Sequence, residues 1–131
     1  MKRSTLRNGI LATALAGATS LAVASPAQAQ VEPCVQRISV INNGGFTMSF
    51  NVVTRTGTPT PSTDTYPINQ WRVIDLTTTD IPEGTDVRPV VSATAGNTVP
   101  GNRFVSYCQN GQTATYTASG TTLDYQVTLV Q

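Results

Sequence analysis

Seven consecutive residues, Phe46-Thr47-Met48-Ser49-Phe50-Asn51-Val52, alternate apolar and polar without a break. Successive side chains on a strand point to opposite faces, so Phe46, Met48, Phe50 and Val52 share one side and Thr47, Ser49 and Asn51 the other. A chain holding such a strand must supply a second layer to cover the dry face. Asn42-Asn43-Gly44-Gly45 stands just before it, and these are the residue types that tight hairpins demand. The spacing predicts a preceding strand over residues 35–41, with Ile38 and Val40 turned inward.

The rest of the chain repeats this pattern. Residues 68–76 carry Trp71, Val73, Ile74 and Leu76, mixed in alternation but rich in strand formers. Residues 87–95 place Val87, Val91, Ala93 and Ala95 on one face. Pro89 lies inside that stretch and has no N–H for a ladder, which predicts a sheet edge or a bulge. Phe104 and Val105 lead toward Cys108, and Asn110-Gly111 is the strongest two-residue hairpin signal present. Ala114, Tyr116 and Ala118 then alternate with Thr113, Thr115 and Thr117. After Ser119-Gly120, Leu123, Tyr125, Val127 and Leu129 oppose Asp124, Gln126 and Thr128. This makes about seven short strands, and no helical period runs beyond the first thirty residues. The fold class is all-β: an antiparallel two-sheet sandwich, immunoglobulin-like or another Greek key. A partly closed barrel is the alternative.

Residues 1–29 read as a secretory signal peptide. Lys2, Arg3 and Arg7 precede an uncharged, alanine-rich run over residues 10–24, and Ala27-Gln28-Ala29 supplies the small-x-small cleavage pattern. The run falls short of the ~20 strongly apolar residues that a spanning helix needs. The expected mature chain is one secreted domain, residues 30–131, with no membrane span. It holds five arginines, no lysine and seven carboxylates, a net charge of −2, against +1 for the whole sequence. A weakly acidic surface gives no electrostatic footprint for nucleic acid. Cys34 and Cys108 are the only cysteines, and in an oxidising compartment they are expected to form a structural disulfide. The sequence contains no histidine to complete a zinc site.

With neither histidine nor reactive thiol, acid–base chemistry would fall to carboxylates. Asp75, Asp80, Glu83 and Asp86 cluster about one turn. Glycoside chemistry needs two carboxylates facing a cleft, and a domain this small has little room for one, so the reading is not an enzyme. Asp80, Glu83 and Asp86 are candidate calcium ligands, although their spacing matches no EF-hand and a solvated turn explains them as well. No cofactor is implied. Tyr66 directly follows a Pro/Thr/Ser stretch over residues 56–65 and Trp71 opens the strand after it, and both are candidate ligand-binding aromatics; a core position for Trp71 is the competing reading. The threonine rows, Thr113/Thr115/Thr117 and Thr77-Thr78-Thr79, suit a pleated surface without any function, and an extended surface ligand is the minor alternative. The expected role is recognition of an extracellular glycan, cell-wall component or protein. Alternatives are an inhibitor that presents the 56–65 loop to an extracellular hydrolase, and a toxin or pore-forming subunit. The sequence leaves the oligomeric state open.

Overall fold

A computed structural model describes residues 33–130. The expected signal peptide lies outside the described residues, as does the start of the expected mature chain. Nine strands occur among the described residues: β1 (Cys34–Val35), β2 (Arg37–Asn42), β3 (Met48–Thr54), β4 (Trp71–Asp75), β5 (Asp86–Ala93), β6 (Thr98–Pro100), β7 (Val105–Tyr107), β8 (Thr113–Thr121) and β9 (Asp124–Leu129). One turn of 3₁₀ helix, Leu76–Thr78, follows β4. Two sheets pack face to face. The first has the order β9-β8-β2-β4; the second has the order β1-β7-β5-β3, with β6 also alongside β5.

The expected sandwich is therefore present, but each sheet is mixed. β8 pairs parallel with β2, and β1 pairs parallel with β7, while the remaining pairs are antiparallel. The cause lies at two corners where the sequence suggested hairpins. β2 and β3 belong to different sheets, so Asn42-Asn43-Gly44-Gly45 carries the chain from one layer to the other. Asn42 is fully buried there; its amide donates to Phe46 O at 2.6 Å and Tyr66 O at 3.2 Å, and its Oδ1 accepts from Gly44 N at 2.9 Å. Asn110-Gly111 likewise joins β7 of one sheet to β8 of the other rather than closing a hairpin.

The strand begun at residue 46 forms as the alternation requires. Met48, Phe50 and Val52 are buried and Ser49, Asn51 and Val53 are half-buried on the other face. Ile38, Val40, Val87, Val91, Ala114, Tyr116, Ala118 and Val127 are among the residues that join them in the core, and Phe46 packs on it with its ring 4.7 Å from that of Tyr125. Two expected core positions are not: Leu123 is exposed at the tip of the β8–β9 hairpin, and Ala95 is exposed in a turn with φ 57°. Pro89 sits in β5 where the pairing partner on one side changes from β7 at Val87 to β6 at Val90. The missing N–H falls in that gap. Three tyrosine hydroxyls brace the interior, donating from Tyr66 to Val40 O (2.8 Å), from Tyr116 to Arg103 O (2.7 Å) and from Tyr125 to Val91 O (3.0 Å).

Cys34 and Cys108 form the disulfide, with Cα atoms 5.5 Å apart and a sequence separation of 74. Chain entropy gives such a closure about 4 kcal/mol. The double substitution Cys34→Ser, Cys108→Ser is expected to lower the urea unfolding free energy by about that amount, read from titrations in which midpoint and slope are both fitted, since the uncrosslinked chain unfolds to a more expanded state. Burial pushes the hydroxyls of Tyr66, Tyr116 and Tyr125 above the ordinary phenol range. Their neutral form is the one the fold accommodates, so this contribution is full below about pH 10 and is lost as pH rises beyond it. The phenolate absorbance of these three is expected to appear together with loss of the strand circular dichroism signal, and not before it.

Candidate functional site

The candidate surface centres on the segment 56–65, which lines a cleft on one side of the sandwich. That segment is not a projecting loop. The chain turns back at residues 54–58, where Gly57 takes φ 96°, and runs antiparallel along the outer edge of β3. Thr60 N donates to Val52 O (2.8 Å), Thr63 N to Phe50 O (2.8 Å), and Tyr66 and Met48 exchange both backbone bonds (2.8 and 3.1 Å). Where backbone carbonyls are out of phase, threonine hydroxyls replace them: Thr60 Oγ1 accepts from Val52 N (3.0 Å) and Thr63 Oγ1 from Phe50 N (3.2 Å). Pro59 and Pro61 remove donors from this flank, which ends the sheet.

Across from the segment, Asp75 starts the 3₁₀ turn by accepting from Thr77 N (3.0 Å) and Thr77 Oγ1 (2.7 Å). The turn and the residues after it face the segment across a cleft of about 490 Å³. Its walls carry Thr56, Thr58 and Thr60 with Pro59 and Pro61 on one side, and Thr78, Thr79, Asp80 and Thr85 on the other. A second groove, of about 280 Å³, shares Thr60, Pro61, Thr78 and Thr79 with it and continues along Val73, Ile74 and Asp75 of β4. The hydroxyl lining was not legible in the sequence, because only the fold brings residues 54–63 and 78–85 together.

Trp71 opens β4 and is 59 % exposed, with Val73 46 % exposed on the same outward face. Pairing sets Trp71 opposite Ile41, then Thr117 and Thr128, in one row across the sheet; Val73, Ser39 and Thr115 form the next. Tyr66, the other expected ligand aromatic, is fully buried, with Arg72 stacked 4.8 Å over its ring. It has no face to offer a ligand. Its alternation with Met48 on the sealed edge draws it inward, a relation the sequence does not reveal.

The expected carboxylate cluster is dispersed. Asp86 pairs with Arg55 (2.8 Å) and accepts from Ser106 Oγ (2.9 Å), Glu83 accepts from Gln109 N (2.7 Å), and Asp80 stands in the cleft wall. Among the described residues no three metal-ligating side chains converge, so Asp80, Glu83 and Asp86 do not make the calcium site considered above. Asp75 is held below the usual carboxylate range by Thr77, Gln36 and Arg37, and Asp86 by Arg55 and Ser106. Asp64 is lowered too, by its two-point contact with Arg72 at 2.9 and 3.3 Å.

No protein-family model matches the chain, and no curated protein does. Among solved structures it is similar to a protein from Eubacterium rectale (14 % identity, TM-score 0.47, covering 73 % of this chain and 86 % of that one). It is also similar to part of listeriolysin O (13 %, TM-score 0.42, 72 % and 22 %) and of pneumolysin (14 %, TM-score 0.41, 72 % and 23 %). The likeness thus spans less than a quarter of either cytolysin, and at these scores no activity is carried across.

The lowered carboxylates predict acid sensitivity with a definite sign. Contacts that favour the ionised form stabilise the fold above about pH 4 and are lost as pH falls through the carboxylate range. The urea midpoint is expected to drop as pH falls below 4, and Asp86→Asn to make that drop shallower.

Proposed function

We propose that this is a secreted, non-enzymatic recognition domain whose contact surface is the outward side of β4 together with the hydroxyl-lined cleft beside it. The observation that carries the reading is the position of Trp71. The chain's single tryptophan is 59 % exposed at the edge of a sheet. Large aromatics at a surface supply contact area at small conformational cost and dominate binding energies where they are found. The cleft of threonines and prolines offers a lined surface for an extended extracellular ligand: a glycan, a cell-wall component or a protein segment. Asp75 and Asp86, held ionised by their partners, are poor proton donors, which supports the non-enzymatic reading. The disulfide is consistent with an oxidising compartment.

A second reading, an inhibitor of an extracellular hydrolase, draws support from the fastening of residues 56–65, since a prearranged segment loses less entropy on docking. The two separate by stoichiometry against a hydrolase and by retention on insoluble polysaccharide or cell-wall preparations. Trp71 emission is expected to be red-shifted and open to aqueous quenchers in the free protein, and to shift blue with ligand. Trp71→Ala is expected to weaken binding at least about tenfold while leaving the unfolding midpoint nearly unchanged. Unaltered binding by a folded Trp71→Ala protein would overturn this assignment of the surface.

A further inference from the structure

We propose that the open edge of β4 accepts an extended peptide as an added strand, and that the peptide carries a basic side chain where the groove meets the cleft at Asp80. The proposal rests on the recognition surface just assigned and names its partner class. Its basis is the hydrogen-bonding phase of β4. Asn42 N bonds to Gln70 O and Leu76 N to Gln36 O, both at 2.9 Å. In an antiparallel pair the bonded positions alternate, so Arg72 and Ile74 face β2 while Trp71, Val73 and Asp75 turn their backbone groups away from it. Trp71 O is taken by Arg72 Nη1 (2.9 Å) and Asp75 O by Thr78 Oγ1 (2.7 Å). The N–H groups of Trp71, Val73 and Asp75 and the carbonyl of Val73 have no partner among the described residues.

Edges of this kind are normally blunted by proline, an outward charge or a covering segment. The neighbouring edge at β3 is sealed in that way by residues 58–66. β4 has no proline and no lysine, and its one cation, Arg72, is turned onto Tyr66 and Asp64. The space beside it is a groove of about 280 Å³ bounded on its far side by residues 60–63. A channel with a second wall admits one extended chain; another domain's sheet edge would have to displace that wall. Charge narrows the partner further. No arginine lines either the groove or the cleft, whereas Asp75 and Asp80 do. Asp75 is 3.6 Å from Arg37, and Asp80 has no partner among the described residues. Strand addition gives affinity through main-chain bonds and specificity through alternate side chains. One side of the peptide would meet the wall formed by residues 60–63, and the other would extend the row that holds Val73.

The test selects phage-displayed random nonapeptides against the purified protein and measures the enriched peptides by fluorescence anisotropy. Enriched peptides are expected to hold a lysine or arginine near one end. They should bind Val73→Pro at least tenfold more weakly and Asp80→Asn several-fold more weakly, and bind Leu123→Ala, altered far from the groove, as they bind the unaltered protein. Synthetic versions N-methylated at alternate residues should lose binding in one phase of methylation and keep it in the other, a readout that does not depend on any variant folding. The proposal is overturned if nothing enriches, if Val73→Pro binds equally well, or if both methylation phases bind alike. It is overturned equally if sedimentation shows a dimer that Val73→Pro dissociates, since a second copy would then hold the edge. Glycan retention lost in Trp71→Ala but kept in Val73→Pro would leave the recognition surface standing and remove strand addition alone.

Discussion

Residues 34–42 and 105–118 change sheets side by side, and the rest of the domain is hung on that shared crossing. β1 follows β7 in one layer and β2 follows β8 in the other, both in the same direction. Parallel neighbours have no hairpin to set their register, so something else must. Here Gln112 O accepts from both Gln36 N (2.9 Å) and Arg37 N (3.1 Å), Cys108 N donates to Val35 O (2.8 Å), and Asn110 Nδ2 donates to Cys34 O (2.9 Å). The disulfide closes the same corner covalently. A slip of one residue would turn Ile38 and Val40 outward and leave Phe50 and Tyr116 uncovered.

Strand existence was legible because period-two alternation is local: β3, β5, β8 and β9 fall near where residue pattern alone puts them. The paths between strands were not. Asn42-Asn43-Gly44-Gly45 and Asn110-Gly111 have hairpin chemistry, yet both serve as inter-sheet corners, since a turn residue fixes local dihedrals and not which layer the chain enters next. The site was legible only in part. Trp71 is exposed and residues of the segment 56–65 line the cleft, whereas Tyr66 is buried through an edge pairing with Met48 that no local pattern encodes. The Asp75–Asp86 carboxylates look clustered in sequence, but their partners, Arg37, Gln36, Arg55, Ser106 and Gln109, come from three other parts of the chain.

The two neighbouring sheet edges are treated in opposite ways, and that contrast organises the side of the molecule that carries the cleft. At β3 a proline-bearing segment replaces missing carbonyls with threonine hydroxyls and ends the sheet. At β4 the backbone stays open beside an exposed tryptophan. The Asp64–Arg72–Tyr66 stack joins the two, since Asp64 belongs to the sealing segment and Arg72 to the open strand.

The position of the sulfur bridge has a mechanical consequence. Tension applied between residues 33 and 130 has a covalent route from Cys34 to Cys108 and onward through β8 and β9. Residues 35–107 lie off that route as a shielded loop, and they include β4, the cleft and most of the second sheet. A tethered copy of this domain under shear would carry load along one side while β4 and the cleft stayed slack.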